Sequence, residues 1–223
     1  DYLQLVLWDP EQLEIAGAYR LGDCAKLHAS RGEDGLYTSS LFRFGEGMQP
    51  VLAGGLELGR SFVQPRYQNR QSLDYLWLGI GAFLRRYPDY RYLFGPVSIS
   101  RLYGNAAIAR IVYYYSLYHG NDALGVQGRT PYLLQPEHQQ QIIAEFDGQD
   151  REGDFRVLRD YLAEHGMPVP ILYKHYAEVA EPAGVSFAAF NIDHDFGDCV
   201  DGLIVVDLDK LKPRKRKRYL GQT

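Results

Sequence analysis

The chain has 223 residues, 46% hydrophobic and 23% charged, a composition that supplies one sizeable core. No apolar run reaches the ~18 residues of a membrane-spanning helix; even the stretch 108–115 is interrupted by Arg110. A net charge of −4 and a pI near 5.9 give no global signal for nucleic acid. Two cysteines, Cys24 and Cys199, are too few for a disulfide framework and fit a reducing compartment.

Residues 3–8 and 14–21 read as strands flanking the turn-forming Asp9-Pro10-Glu11-Gln12, which predicts an opening β-hairpin. Asp1 stands where a Met would begin a chain, and a strand follows at once, so we expect the natural chain to start earlier. Residues 22–55 are irregular and long for a connection, which marks them as functional. A strand is predicted over 56–63, ending at Gln64-Pro65. Leu73, Leu76, Trp77, Ile80, Phe83 and Leu84 then recur at helical spacing and predict a helix over 70–86. Residues 90–98 are rich in aromatic and β-branched side chains and read as a strand, and Asn105 is placed to cap a helix running to 118.

The polar stretch 120–166 reads as a helical insertion. A further helix over 170–181 precedes a strand pair, 185–193 and 203–208, joined through Asp195-Phe196-Gly197-Asp198. The sum is an α/β fold in a single domain: a mixed, mostly antiparallel central sheet with helices on both faces. Lys210, Lys212, Arg214, Lys215, Arg216, Lys217 and Arg218 crowd the C-terminus. That cluster reads either as a solvated, frayed tail or as a contact for anionic lipid headgroups or an acidic partner.

The strand over 56–63 carries the chemistry. Strict alternation puts Glu57, Gly59 and Ser61 on one face and Leu58, Arg60 and Phe62 on the other. A glycine inside a strand often marks a bulge or the close approach of a ligand, so a cleft is expected here. The segment 57–67, ELGRSFVQPRY, resembles the central strand of the GCN5-related N-acyltransferase fold, and more narrowly its hemolysin-like or ornithine lipid N-acyltransferase branch. The segments 16–21 (AGAYRL), 37–42 (YTSSLF) and 92–98 (YLFGPVS) match in order and spacing. The related acyl-homoserine lactone synthases carry a similar Glu and Arg pair, matched by Glu57 and Arg60. The resemblance covers 1–118 well and the last strand pair more loosely; the branch's basic, aromatic segment before the first strand has no counterpart in this sequence.

The resemblance implies an enzyme that moves a fatty acyl group, 3-hydroxylated in the family pattern, from acyl carrier protein to the amine of ornithine or a similar amino acid in membrane lipid synthesis. It would work in the cytoplasm, peripherally on the inner membrane face, with no permanently bound cofactor. An acetyl-coenzyme A-dependent N-acetyltransferase and a non-catalytic acyl- or lipid-binding module of a larger enzyme are the alternatives. Coenzyme A loops in this fold use glycines to close backbone N–H groups on a pyrophosphate. Gln68, Asn69, Arg70, Gln71 and Ser72, with Arg66 before them, contain none and suit the single phosphate of a carrier protein's pantetheine arm better.

An amine must lose a proton before it attacks a thioester, which makes Glu57 the candidate base. Arg60 or Arg20 is the candidate fork for an amino acid's carboxylate, and Ser98 joins them as a substrate-binding candidate. Structural ion pairs are the alternative for each charged group. Glu57→Gln is accordingly expected to cut turnover with the fold intact. Tyr113, Tyr114, Tyr115, Tyr118, Phe83, Phe94, Phe187 and Phe190 are either core or the lining of an acyl channel leading from Glu57. Residues 191–201 hold Asp, His and Cys at spacings that fit no standard metal pattern, so no metal is expected, and a turn near the substrate cleft fits better. Ser98, Ser100, His119, His175 and His194 form no recognisable nucleophile–base set, and no covalent intermediate is implied.

Overall fold

β-Branched, aromatic and leucine side chains concentrate in the segments that pair, and the segments with helical spacing of apolar residues cover them. The computed structural model describes residues 1–68 and 71–221. In chain order the elements are β1 (Leu3–Asp9), β2 (Glu14–Asp23), α1 (Cys24–Arg31), β3 (Phe42–Arg43), α2 (Gln49–Gly54), β4 (Gly55–Val63), α3 (Ser72–Arg86), β5 (Tyr92–Ile99) and α4 (Gly104–His119). They continue as β6 (Gln127–Gly128), α5 (Pro136–Glu145), α6 (Arg151–Glu164), α7 (Ile171–Val179), β7 (Val185–Asp193), β8 (Cys199–Asp207) and α8 (Pro213–Leu220). Six strands form one sheet in the order β1-β2-β4-β5-β8-β7. Every neighbouring pair is antiparallel except β4 and β5. The fold is therefore α/β with a mixed central sheet flanked by helices.

Alternation along the strands divides the core in two. On one face Cys24, Leu27, Met48, Val51, Phe94, Leu203 and Val205 pack under α1 and α2. On the other, Leu56, Leu58, Leu93, Ile204 and Val206 meet α3, α4, α7 and α8. α3 buries Leu76, Trp77, Ile80 and Leu84, the stripe that its spacing predicted. Full burial of each such side chain contributes about 1.5–3 kcal/mol.

Four local expectations change. Residues 22–55, expected to be irregular, carry α1, β3 and α2. Asn105 does not cap α4. The chain enters that helix through a tight 3-10 turn, Arg101–Tyr103, whose own cap is the Ser100 hydroxyl, so no extended residue precedes the helix for Asn105 to act from. β8 begins at Cys199 rather than 203, which carries Asp201 into the sheet. The basic C-terminus is not frayed: 213–220 is helical, buries Tyr219 and Leu220, and sets the Tyr219 ring against Trp77 at a tilt, with ring centres 5.5 Å apart. Arg218 Nε donates to Asp74 at 2.9 Å, and Arg216 donates to the Leu208 carbonyl.

The site depends on how β4 leaves β5. Their ladder consists of Gly55–Tyr92, Leu56–Leu93 and Glu57–Phe94, after which β5 goes on pairing with β8 while β4 keeps only β2. At the point of parting, Gly95 lies against β4 so closely that a Cβ there would sit 1.9 Å from the Leu58 carbonyl oxygen. Only a glycine lets the backbones approach this far before they diverge. Gly95→Ala should cost about 1–3 kcal/mol by forcing the strands apart. Urea unfolding checks this, and a variant as stable as the parent would show that the contact imposes no constraint.

Candidate functional site

Beyond Glu57 the β5-facing edge of β4 has no strand partner, and this gap opens on both faces of the sheet. On the α3 side it is an apolar cleft of about 680 Å3 walled by Tyr19, Phe62, Val63, Leu73, Leu76 and Leu172. On the α1 side it is a polar cleft of about 650 Å3 with Tyr37, Arg60, Ser98, Asp193, Asp195 and Asp201 on its walls. Both volumes lie in the ligand-site range of about 300–1,000 Å3. Ser61 and Leu172 border both clefts, so the two meet where β4 and β5 part.

A bulge in β4 arranges the polar side. Arg20 of β2 pairs with Gly59 and Ala18 with Phe62, which leaves Arg60 and Ser61 together opposite Tyr19. Arg60 takes up the extra residue with φ of 46°, a left-handed conformation rare outside glycine and typical of functional strain. The bulge overturns the strict alternation expected for this strand. Instead of facing away from Glu57, Arg60 joins its side of the sheet and lies 5.3 Å from the Tyr37 ring centre. Among the described residues it has no ion pair. Gly59 has open space beside it: a Cβ there would meet nothing within 4 Å.

Glu57 stands differently from expectation. Its side chain is 1% exposed and borders neither cleft. Its carboxylate accepts from the Thr38 amide at 2.7 Å, the Thr38 hydroxyl at 2.6 Å, the Tyr37 amide at 3.3 Å and the Tyr2 hydroxyl. Burial and the Glu57 carboxylate hold the Tyr2 phenol well above its usual range, so it stays a donor. With its lone pairs committed to four donors, Glu57 pins the 37–38 segment to the sheet and has no free oxygen to take a substrate proton. Arg20 likewise leaves the cleft wall: its guanidinium lies 4.1 Å from the Tyr2 ring centre and 5.4 Å from that of Tyr37. Behind the wall, it helps to fix Tyr37 by cation–π contact.

Of the expected substrate-binding residues, the polar cleft brings together Arg60 and Ser98. It adds three that the sequence reading passed over: Tyr37, Asp193 and Asp201. Asp193 ends β7 and Asp201 lies in β8 opposite Ser98, with side chains 6% and 2% exposed. The Asp201 carboxyl is pushed up to about 6, first by burial and then by the neighbouring Asp193 carboxylate, with the Ser98 hydroxyl opposing. Burial, Asp193 and Asp201 raise the Tyr37 phenol, while Arg60 and Arg20 lower it, so Tyr37 stands between the two kinds of charge. The expected strand begins at 203 and leaves Asp201 in the preceding turn; an apolar residue before it and an apolar run after it, Val200 and Leu203 onward, were the available signal that the strand starts earlier and takes the aspartate with it.

The expected donor loop is mostly committed to holding itself. Arg66 pairs with Glu14, Tyr67 donates to Asp9 at 2.6 Å, and the buried Ser72 hydroxyl donates to the Tyr67 carbonyl at 2.5 Å. Gln68 borders the apolar cleft and donates to the Val63 carbonyl at 3.1 Å. Gln71 precedes α3 and its carbonyl accepts from the Tyr75 amide at 2.8 Å; Asn69 and Arg70 lie outside the described residues. The aromatic rings do not line a channel from Glu57. Tyr115, Tyr173 and Phe187 pack against one another with centres 4.6–5.2 Å apart, and Phe83 stacks on Tyr87 and Tyr90 at a distance from them in the fold. Among the described residues, no group of three or more His, Cys, Asp or Glu is placed to hold a metal ion. No described helix is long and apolar enough to cross a membrane.

Residues 1–78, which carry β1, β2, β4 and the first half of α3, match the family model of an acetyltransferase (GNAT) domain. Over 98% of its length the chain is 28% identical to the glycine N(alpha)-acyltransferase of Bacteroides thetaiotaomicron, covering 67% of that protein. A second glycine N(alpha)-acyltransferase, from Phocaeicola vulgatus, is also 28% identical, with 69% of it covered. Among solved structures, the GphF GNAT-like decarboxylase in complex with isobutyryl-CoA overlaps 92% of this chain and 77% of its own, at 16% identity and a TM-score of 0.38. The family model and the two relatives support the expectation of an enzyme that transfers acyl groups to amines.

The role found for Glu57 changes the outcome expected of its substitution. In Glu57→Gln a carboxamide would replace an acceptor surrounded by donors, and the loss of charge-assisted bonds should destabilise the protein by about 2–3 kcal/mol. Thermal unfolding checks this; a variant with an unchanged melting temperature and lost turnover would return Glu57 to the role of base.

Proposed function

We propose that the chain is an N-acyltransferase that moves an apolar acyl group from a thioester to the α-amine of a small free amino acid, with glycine the first acceptor to test. The observation that carries this reading is the pair of clefts joined at Ser61 and Leu172, one apolar and one bearing both signs of charge. An acyl chain lies against Phe62, Val63, Leu73, Leu76 and Leu172, where it loses water. An amino acid in the other cleft presents its carboxylate to Arg60 and its ammonium to Asp193 and Asp201. The two reactants meet in the gap beyond Glu57, where the unpaired edge of β4 offers backbone N–H groups to the oxyanion that forms as the amine adds.

The names of the two relatives support glycine as the acceptor. Asp195, on the wall of the same cleft, also suits the second ammonium of ornithine, so both amino acids belong in the assay. The donor is an acyl thioester on acyl carrier protein or on coenzyme A. Arg66, engaged by Glu14, would have to exchange that partner to reach a phosphate. The product is an amphiphile, and Arg214, Lys215 and Lys217 on α8 offer a basic contact for an anionic membrane surface.

Acyl transfer from palmitoyl-coenzyme A and from palmitoylated acyl carrier protein, each with glycine and with ornithine, tests the reading by mass spectrometry of the N-acyl product. Arg60→Gln should raise KM for the amino acid roughly 10- to 100-fold, the worth of a lost charge-assisted hydrogen bond. The same variant should leave transfer to methylamine, which has no carboxylate, nearly unchanged. No N-acyl product from any of the four pairs would reject the function, and an unchanged KM would remove Arg60 from acceptor binding.

A further inference from the structure

We propose that Asp201 is the base that takes the proton from the acceptor's ammonium while Asp193 holds that ammonium in place. This assignment rests on the N-acyltransferase reading. Among the described residues neither carboxylate is in an ion pair, although both are nine-tenths or more buried. The Asp201 Oδ1 atom has no hydrogen-bond partner. Two buried carboxylates side by side without a cation are costly; the pair is relieved by a proton held between the two carboxyls or by a cation that arrives from outside and displaces it. The wall they form belongs to the cleft that holds Arg60, so an ammonium on a short amino acid is the cation that completes the set.

Polar groups surround Asp201 on several sides. Asp193 and Asn191 approach from β7, Ser98 from β5 and Cys199 from its own strand. The buried Tyr173 of α7 lies beneath, its hydroxyl accepting from the Gly202 amide at 3.1 Å and donating to the Val97 carbonyl at 2.9 Å. Tyr37 and Arg60 face it across the cleft, with Asp195 at the rim. Asp193 Oδ1 is partly committed, accepting from the Asp195 amide at 3.0 Å. Ser98 and Asp193 reach the Asp201 side chain as well, but its Oδ1 is left without a partner, which makes Asp201 the acceptor and Asp193 the anchor. Burial and Asp193 raise the Asp201 carboxyl to about 6, so at neutral pH it is ionised and more basic than an ordinary aspartate.

The proton balance closes without a further reactant. Asp201 takes one proton from the ammonium, and the neutral amine adds to the thioester carbonyl. The tetrahedral species then expels the sulfur, its C–S bond breaking as the nitrogen gives up a second proton to the departing thiolate. The products are an amide and a thiol, and the proton on Asp201 returns to water.

Steady-state acylation of glycine by the full-length protein, with palmitoyl-coenzyme A and palmitoylated acyl carrier protein as alternative donors, tests the assignment across the pH range. For the wild type, kcat/KM should fall tenfold per pH unit below the Asp201 value of about 6. Asp201→Asn should lower kcat by about 10²- to 10⁴-fold and abolish that limb. Its melting temperature should be no lower than that of the wild type at neutral pH, because the fold holds the Asp201 carboxylate there against burial. Asp193→Asn should act mainly on KM for glycine. An active wild type whose rate is flat through this range, or an Asp201→Asn variant with unchanged kcat, overturns the assignment and leaves the acyltransferase reading standing. A wild type that acylates no amino acid overturns both.

Discussion

The parting of β4 from β5 governs the molecule. A parallel pair in the middle of an otherwise antiparallel sheet cannot be joined by a hairpin and needs a crossover, which α3 supplies. Because the pair holds together only over Gly55–Glu57 and Tyr92–Phe94, the sheet is continuous at one end and open at the other. The same twist that a full ladder would spread over many residues is released here at Leu58 and Gly95. Both clefts open at that release, and the segments 37–41 and 195–196 complete the walls of the polar one.

Charge is arranged around this opening in two tiers. Behind the wall, Glu57 and Arg20 are spent on Tyr2, Tyr37 and Thr38, tying the N-terminal residues and the 37–38 segment to β2 and β4. In front of it, Arg60 on one side and Asp193 with Asp201 on the other are in no ion pair among the described residues. The rear tier is engaged within the fold; in the front tier Arg60 is exposed, while Asp193 and Asp201 are buried without a counter-ion, and a buried charge of that kind is tolerated where a ligand completes it. Tyr37 joins the tiers, its amide held by Glu57 and its ring next to both arginines.

Much of the fold was legible because alternation and helical spacing are direct images of burial. β1, β2, β4, β7 and α3 appear within a residue or two of where the pattern puts them. The candidate site was less legible, for two physical reasons. A bulge shifts the alternation by one residue, so Arg60 lies on the face opposite to the one strict alternation dictates; Gly59 signals that a bulge can occur here but not which side chain it turns. The second reason is that a motif identifies a residue without its partners. Glu57 is expected from its motif to be the base, yet its carboxylate is taken up by Tyr2 and Thr38, which are distant in sequence. Asp193 and Asp201 were seen only as members of an acidic turn, and it took their pairing through β7 and β8 to bring them opposite Arg60.

Leu172, in the first turn of α7, borders the apolar and the polar cleft at once. One side chain therefore contributes to the bore of both clefts, which the proposed reaction would fill with different reactants. A larger residue at this position narrows both and a smaller one widens both, so preference for acyl length and preference for acceptor size cannot drift independently here. Divergence among such enzymes would then proceed through paired changes, with a substitution at 172 compensated on whichever side was not under selection.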